Sequence, residues 1–449
     1  MPMKTCIKNG IAVFADRLEQ TDLLLDGERI AAFGSSDAAD ILIDARGCFI
    51  FPGFIDLHTH LDDVIAGRPL ADTWRSGSHI ALQNGITTLG SFITQRRDES
   101  LQAAIDCAQA KAGGNAHGDY LWHLTPLRFD ESGWREIEEA VERGFTTFKF
   151  YTTYREAGLY SGYEELEGRI KRLHALGCRV LVHCEDEALL LRAQSAKVDW
   201  RDPHTHARVR PAAAEIAAIR RLIDIGRKSG ARLHIVHVST PEGVEAIRAA
   251  HDVRITCETC PHYLFLDESY LTRPDGQRWL CAPPLRSSWQ RQRLCELVRQ
   301  GAVDLLASDH CAFSKTDKDA PGDDIRRVPG GVAGLGALPH LALRLFAGEN
   351  KETAMPMLAR LLSQSPARVA GIHPRKGTLQ PGADADLVVL KSDGPERPIV
   401  STLADAWETY PALTSRLEIR HVFLRGRRVA GNGKLLDEQQ AMGACLCKV

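Results

Sequence analysis

Six residues of this 449-residue chain combine reactive chemistry with a repeating placement. His58 and His60 in "FIDLHTH" stand two apart, a spacing that puts both imidazoles on one face of a strand. Lys149 sits inside "TTFKFY", an apolar, β-branched and aromatic run. His183 lies in "CRVLVHC", His237 in "RLHIVHV" and Asp309 in "VDLLASDH". A single strand histidine is more often a hydrogen-bonded core residue than a ligand. Four histidines, an aspartate and a lysine near the same end of five such runs point instead to a metal site. Imidazole and carboxylate ligands suit zinc, with iron, manganese and cobalt as alternatives. The set exceeds the needs of one tetrahedral ion. Two ions about 3.5–4 Å apart, sharing a bridge, use it better.

Such a bridge must be anionic and carry two oxygens, and an ammonium cannot bind a cation. Lys149 therefore has two readings. On an edge strand its amine would lie in solvent. If buried, desolvation would lower its pKa. The neutral amine could then take up carbon dioxide as a carbamate. The local sequence leaves both readings open.

Eight short apolar runs must position these residues: 54–60, 87–93, 120–127, 146–151, 178–184, 232–238, 253–259 and 303–310. Amphipathic segments lie between most of them. Two, "YEELEGRIKRLHALG" and "AAAEIAAIRRLIDIGRKSG", end in glycine, a usual helix stop. Alternation of this kind over some 300 residues predicts an α/β fold, a (β/α)8 TIM barrel, whose strand C-termini carry the chemistry. Residues 1–50 and 371–449 instead hold short alternating strand signals with turns. They are expected to form the two parts of one small β-sandwich beside a barrel spanning 51–370.

Bulk properties narrow the function classes. With 44% apolar and 25% charged residues and a net charge of -2, no global field favours nucleic acid or an anionic membrane. No apolar run approaches the length of a membrane span. The N-terminal stretch lacks a signal-peptide h-region. Twelve scattered cysteines read as reduced thiols of a cytoplasmic protein. "CETC" (Cys257, Cys260) lacks the second pair that a zinc knuckle needs.

The order of the motifs resembles the amidohydrolase superfamily, and within it the cyclic amidases: hydantoinase/dihydropyrimidinase, allantoinase and dihydroorotase. "PGFIDLHTHLD", "FKFYTTY", "LVHCED", "IVHVST", "ETCPHYL", "CAPPLR", "ASDHCAF" and "HPRKGTLQPGADADLVVL" follow in family order over nearly the whole chain. The resemblance implies binuclear metal-dependent hydrolysis of a cyclic amide in a five- or six-membered ring. His58, His60 and Asp309 would hold one ion, His183 and His237 the other, and carbamylated Lys149 would bridge them. Tyr154 would donate to the developing oxyanion, and Asp309 would carry the proton. Homologues of this kind form dimers or tetramers, so a homo-oligomer is expected. A catalytically inactive scaffold homologue is the alternative from another class, and such homologues usually lose metal ligands that this chain retains.

The ring is less legible. Dihydroorotases place an arginine where this chain has Asp62, which disfavours an anionic substrate. "HTHLDD" and "SDHCAF" resemble hydantoinase/dihydropyrimidinase, while "CAPPLR" and "GGVAGLGALP" resemble allantoinase. Hydantoinases usually have serine at Ala282, glutamate near Gly336 and often asparagine at about Gly330. At Ala282 and Gly330, backbone groups are expected to contact the substrate. "TWRSGSH" (73–79) and "LRFDESGW" (127–134) read as loops over the site mouth, with Phe129 and Trp134 either lining a pocket or packing ordinarily.

Overall fold

The computed structural model describes residues 3–34, 39–319 and 324–447. Eight parallel strands, labelled here in barrel order, form one sheet: β1 Phe54–Thr59, β2 Ile86–Thr94, β3 Asp119–Thr125, β4 Thr147–Tyr151, β5 Arg179–His183, β6 Arg232–Ile235, β7 Ile255–Thr259 and β8 Leu305–Leu306. All residues of β1 and β3 are buried. This is the signature of parallel strands covered on both faces. The barrel closes just beyond β8, where Thr59 and His310 form a parallel bridge and His60 N donates to the His310 carbonyl at 2.8 Å. Asp56 Oδ1 reinforces that seam by accepting from His58 N at 3.2 Å and Ser308 N at 3.0 Å.

The two glycine-terminated segments are helices, Tyr163–Ala175 and Ala212–Ser229. Gly177 (φ 75°) and Gly230 (φ 66°) take the left-handed backbone that ends them. The segment 73–79 corrects the loop expectation, because helix Trp74–Gln83 begins there. Thr73 and Ser76 form a reciprocal capping box, and Trp74, Ile80 and Leu82 are buried. Gly77 is small because its helix presses on the Leu61 side chain. The segment 127–134 is half helical, since Asp130 caps helix Glu131–Glu142.

Both chain ends build the β-sandwich. A seven-stranded sheet takes Ile11–Val13, Leu18–Gln20 and Phe49–Pro52 from the front of the chain, and Leu387–Lys391, Glu418–Leu424, Arg427–Gly431 and Lys434–Leu435 from the back. Phe49–Pro52 pairs antiparallel with Leu387–Lys391, joining the two ends. A four-stranded sheet of Lys4–Lys8, Leu23–Asp26, Arg29–Phe33 and Ile41–Asp44 comes from the front alone. Ile7, Leu25, Ile50, Val389 and Phe423 share the core between the sheets.

A buried charge cluster ties sandwich to barrel. Lys376 Nζ lies 2.8 Å from Asp119 at the start of β3 and 3.2 Å from Asp384, and it also contacts Asp386. Arg425 adds a second cation to Asp119. Asp119 begins its strand, so the cluster occupies the end of the barrel opposite the strand C-termini. Among the described residues, no helix is long and apolar enough to cross a membrane.

Candidate metal centre

Six side chains reach one region from the C-terminal ends of the strands. His58 is the penultimate residue of β1, and His60 lies just beyond it. Lys149 is central in β4, and His183 ends β5. His237 and Asp309 lie past the ends of β6 and β8, with positive φ values of 38° and 48°. Those two strands are therefore shorter than the runs in the sequence. Tyr154 (φ 67°) and Asp62 (φ 50°) share this left-handed backbone. Such conformations cost roughly 1–3 kcal/mol each and persist where the surroundings over-determine them.

Nitrogen and oxygen atoms converge in two groups. Ligand atoms of His58, His60 and Asp309 all lie within 4.8 Å of one another. Asp309 Oδ1 is 3.2 Å from His58 Nε2 and 3.7 Å from His60 Nε2. In the second group His183 Nδ1 lies 3.0 Å from His237 Nε2. The ring centroids of His58 and His237, one from each group, are 5.2 Å apart. Lys149 is 1% exposed, its amine 5.1 Å from the Phe92 ring centre and 5.2 Å from that of Tyr151. Burial pulls its pKa down to about 8, against the opposing pull of Glu258 and Asp309. The edge-strand reading of Lys149 does not hold, because β4 lies inside the sheet between β3 and β5.

The outward-facing atoms decide whether this set fits a cation. His58 Nδ1 lies 2.5 Å from Glu258 Oε1, and His183 Nε2 lies 2.7 Å from Glu185 Oε2. A carboxylate only accepts, so each imidazole keeps its proton on that side. His58 Nε2 then presents a lone pair to the Asp309 carboxylate, and His183 Nδ1 presents one to His237. Burial lowers the pKa of His58, His183 and His237, so the rings are neutral. The neutral His237 can place its proton on Nε2 and donate to His183 Nδ1, but His58 Nε2 and the Asp309 carboxylate are acceptors facing each other at 3.2 Å and repel unless a positive charge lies between them. The donor set thus fits divalent metal, with the carboxylate partners that orient metal-binding histidines elsewhere.

The sequence reading omits those partners. Glu258, on β7, also accepts from His234 Nε2 at 2.9 Å. Burial raises its carboxyl, but its close interactions with His58 and His234 outweigh this and hold it well below the usual range. Glu185 is held low in the same way, chiefly by Arg210 and His183. Asp309 is likewise kept ionised, its burial outweighed by His58 and His60. An acid inside the strand run "ITCET" is as anomalous as Lys149 in its own run and was the available signal.

A cavity of about 1580 Å³ opens over these groups, lined also by Tyr154, Arg210, Ala282 and Gly330. A Cβ on Gly330 would meet only the Cys281 Cα, at 3.9 Å, so the wall there is open. Gly336 lies outside this lining, and a side chain there would strike the Val400 carbonyl and Ile80. Buried Lys318 donates to the carbonyls of Leu280 at 3.0 Å and Pro329 at 2.8 Å, tying together the segments that carry Ala282 and Gly330. Asp62 borders the cavity, but its carboxylate accepts from Trp74 N at 2.6 Å, capping the helix at 74–83. Phe129 lines a separate pocket of about 570 Å³ that also touches Lys149 and Tyr151, whereas Trp134 belongs to the core. Cys257 and Cys260 are free and buried.

A closed α/β barrel with a histidine- and carboxylate-lined centre at its strand C-termini defines a metal-dependent hydrolase architecture. Residues 49–429 match the Amidohydrolase family, and the chain belongs to it. It is 33% identical over 403 residues to the D-hydantoinase of Geobacillus stearothermophilus, covering 86% of this chain and 84% of that protein. Against the D-hydantoinase of Ralstonia pickettii it is 32% identical over 448 residues, 97% of each. The crystal structure of dihydropyrimidinase from Brevibacillus agri superposes with a TM-score of 0.93 at 30% identity, covering 99% of both chains. The L-hydantoinase (dihydropyrimidinase) of Arthrobacter aurescens superposes with 0.87 at 26% identity, again over 99% of both.

Proposed function

We propose that this protein hydrolyses the C–N bond of a five- or six-membered cyclic amide of hydantoin or dihydropyrimidine type, without requiring a carboxylate on the ring. The observation that carries this reading is the convergence of His58, Asp309, His183 and His237 at the base of the cavity, with His58 Nε2 and the Asp309 carboxylate facing each other as acceptors. Family membership and the D-hydantoinase relatives support the substrate class.

His58, His60 and Asp309 would hold one divalent ion, and His183 and His237 a second, with zinc as the first choice for imidazole and carboxylate donors. Lys149 would join them as a carbamate: its neutral amine forms an N–C bond with carbon dioxide and releases one proton. Its complete burial, which pulls its pKa down to about 8, raises the share of neutral amine available for this step. The ions would supply Lewis acidity toward the ring carbonyl and lower the pKa of water to about 7.

Everything else falls to side chains. Asp309, ionised and at the cavity wall, takes the proton of the attacking water and returns it to the ring nitrogen as the C–N bond breaks. Tyr154 donates to the carbonyl oxygen as negative charge grows there. Backbone groups around Ala282 and Gly330 orient the ring, and the open wall at Gly330 leaves room for a substituent. The acidic rim residue Asp62 disfavours an anionic ring.

The test is ring opening by zinc-loaded protein of hydantoin, dihydrouracil, allantoin and dihydroorotate at equal concentration. Neutral rings should open faster than dihydroorotate, with activity lost on chelation. A preference for dihydroorotate over every neutral ring would overturn the substrate assignment. No opening of any ring would favour the scaffold alternative.

A further inference from the structure

We infer that Arg210 is a positioning residue that aims the Tyr154 hydroxyl into the cavity and fixes the tautomer of His183; this rests on the hydrolase reading above. Arg210 lies between helices Thr205–Val209 and Ala212–Ser229, and its side chain, 11% exposed, borders the cavity. One guanidinium serves two acceptors. Nε donates to Glu185 Oε1 at 3.1 Å, and Nη2 contacts Glu185 Oε2. The same Nη2 donates to the Tyr154 hydroxyl oxygen at 3.3 Å.

Arginine carries five N–H donors and no acceptor. The Tyr154 oxygen can therefore only accept from it, and the phenolic hydrogen must point elsewhere. Among the described residues the Tyr154 hydroxyl has no other hydrogen-bond partner, and the ring lines the cavity. The hydrogen is thus left for an oxygen of the bound ring. The adjacent guanidinium charge makes the phenol a stronger donor, since it favours the electron-rich oxygen that forms as the hydrogen is shared.

The second limb runs through Glu185, which is fully buried and accepts from His183 Nε2. An unpaired carboxylate at that depth would be costly. Arg210 supplies its counter-charge, and with Glu185 Oε2 turned to His183 Nε2 as an acceptor, the His183 proton stays on Nε2 and the lone pair on Nδ1. The backbone that carries Arg210 is anchored, because the Arg210 carbonyl accepts from Arg286 Nη1 at 2.6 Å and Arg286 Nε donates to Ser239 at 2.9 Å. Residues 154, 185 and 210 are far apart in sequence, and no local motif links them.

Arg210→Lys keeps a cation beside Glu185 but loses the planar fork that serves both acceptors. With metal content verified as full in the same sample, it should lower kcat about 10–100-fold with a smaller change in KM. Adding Tyr154→Phe to Arg210→Lys should then cost little, although Tyr154→Phe alone should slow the native enzyme strongly. The inference is overturned if Arg210→Lys retains native kcat. It is also overturned if the Tyr154→Phe loss persists undiminished in the Arg210→Lys background. In both cases the hydrolase reading stands, provided the native enzyme still opens rings. A native enzyme that opens no ring would remove both.

A readout independent of turnover covers the second limb. In zinc titrations of the folded protein, Arg210→Met should weaken one of two binding events by about 10–100-fold and spare the other. Two native-like events would overturn the His183 limb.

Discussion

Lys149 and Asp309 carry the heaviest demands at the residue scale, because both are ionisable groups at the cavity floor, Lys149 buried and Asp309 only slightly exposed. Replacing Lys149 with Ala removes the only bridging group the proposal offers. We expect that variant to lose two-ion binding and turnover, and short carboxylic acids to restore part of both by standing in for the carbamate. Native metal content and activity in Lys149→Ala would refute the bridge. Asp309→Asn keeps the size but cannot ferry a proton, so kcat at full metal occupancy should fall about 10²–10⁴-fold. A loss below about tenfold would remove the proton-carrying role. The sequence showed these residues because each breaks an apolar run. It did not show their partners. His58 and Glu258 meet at 2.5 Å across 200 residues of chain, and His183 depends on Arg210 through Glu185. Such pairings arise only when the barrel brings distant strand ends together.

Elements were legible where periodicity and stop signals agreed, as in the two glycine-terminated helices. The helix at 74–83 was hidden because "WRSGSH" is poor in strong helix formers. Its capping box and its burial of Trp74 override that weak propensity. Past the ends of β6 and β8, His237 and Asp309 turn into left-handed backbone, a change that apolar patterning cannot register. Inside the barrel, His123 of β3 hydrogen-bonds Thr147 of β4 at 2.8 Å and the Leu57 carbonyl of β1 at 3.0 Å. Burial lowers its pKa to about 3, so the folded protein holds it neutral. The unfolded chain takes a proton below about pH 6.5, so the stability from this group is complete above that pH. It is lost as pH falls toward 3, by up to about 1.4 kcal/mol per pH unit. Denaturant titrations should show native stability declining more steeply from pH 6 to 4 than that of His123→Asn; parallel curves would contradict the assignment.

Over the whole molecule, the sandwich and the barrel depend on one another through Lys376, Asp119 and Arg425. Burial pushes the Asp119 carboxyl up, but Lys376 and Arg425 outweigh this and hold it below its ordinary value. Asp119→Asn leaves Arg425 without its carboxylate partner and Lys376 with Asp384 and Asp386 alone. It should cost about 3–5 kcal/mol of stability in equilibrium unfolding, with kcat per folded molecule unchanged, since the cluster lies at the far end of the barrel from the site. A cost below about 1 kcal/mol would mean that the cluster is no stronger than a surface pair. The two-ended sandwich was foreseeable from strand signals at both termini, but its pairing of Phe49–Pro52 with Leu387–Lys391 was not. The central claim is that this scaffold places two cations among its six convergent side chains. Anomalous diffraction at the zinc edge from crystals grown with zinc and bicarbonate tests it directly. The account predicts two peaks per chain, one among His58, His60 and Asp309 and the other between His183 and His237, with carbamate density on Lys149 joining them. A single peak or none, with a bare Lys149 amine, would contradict it.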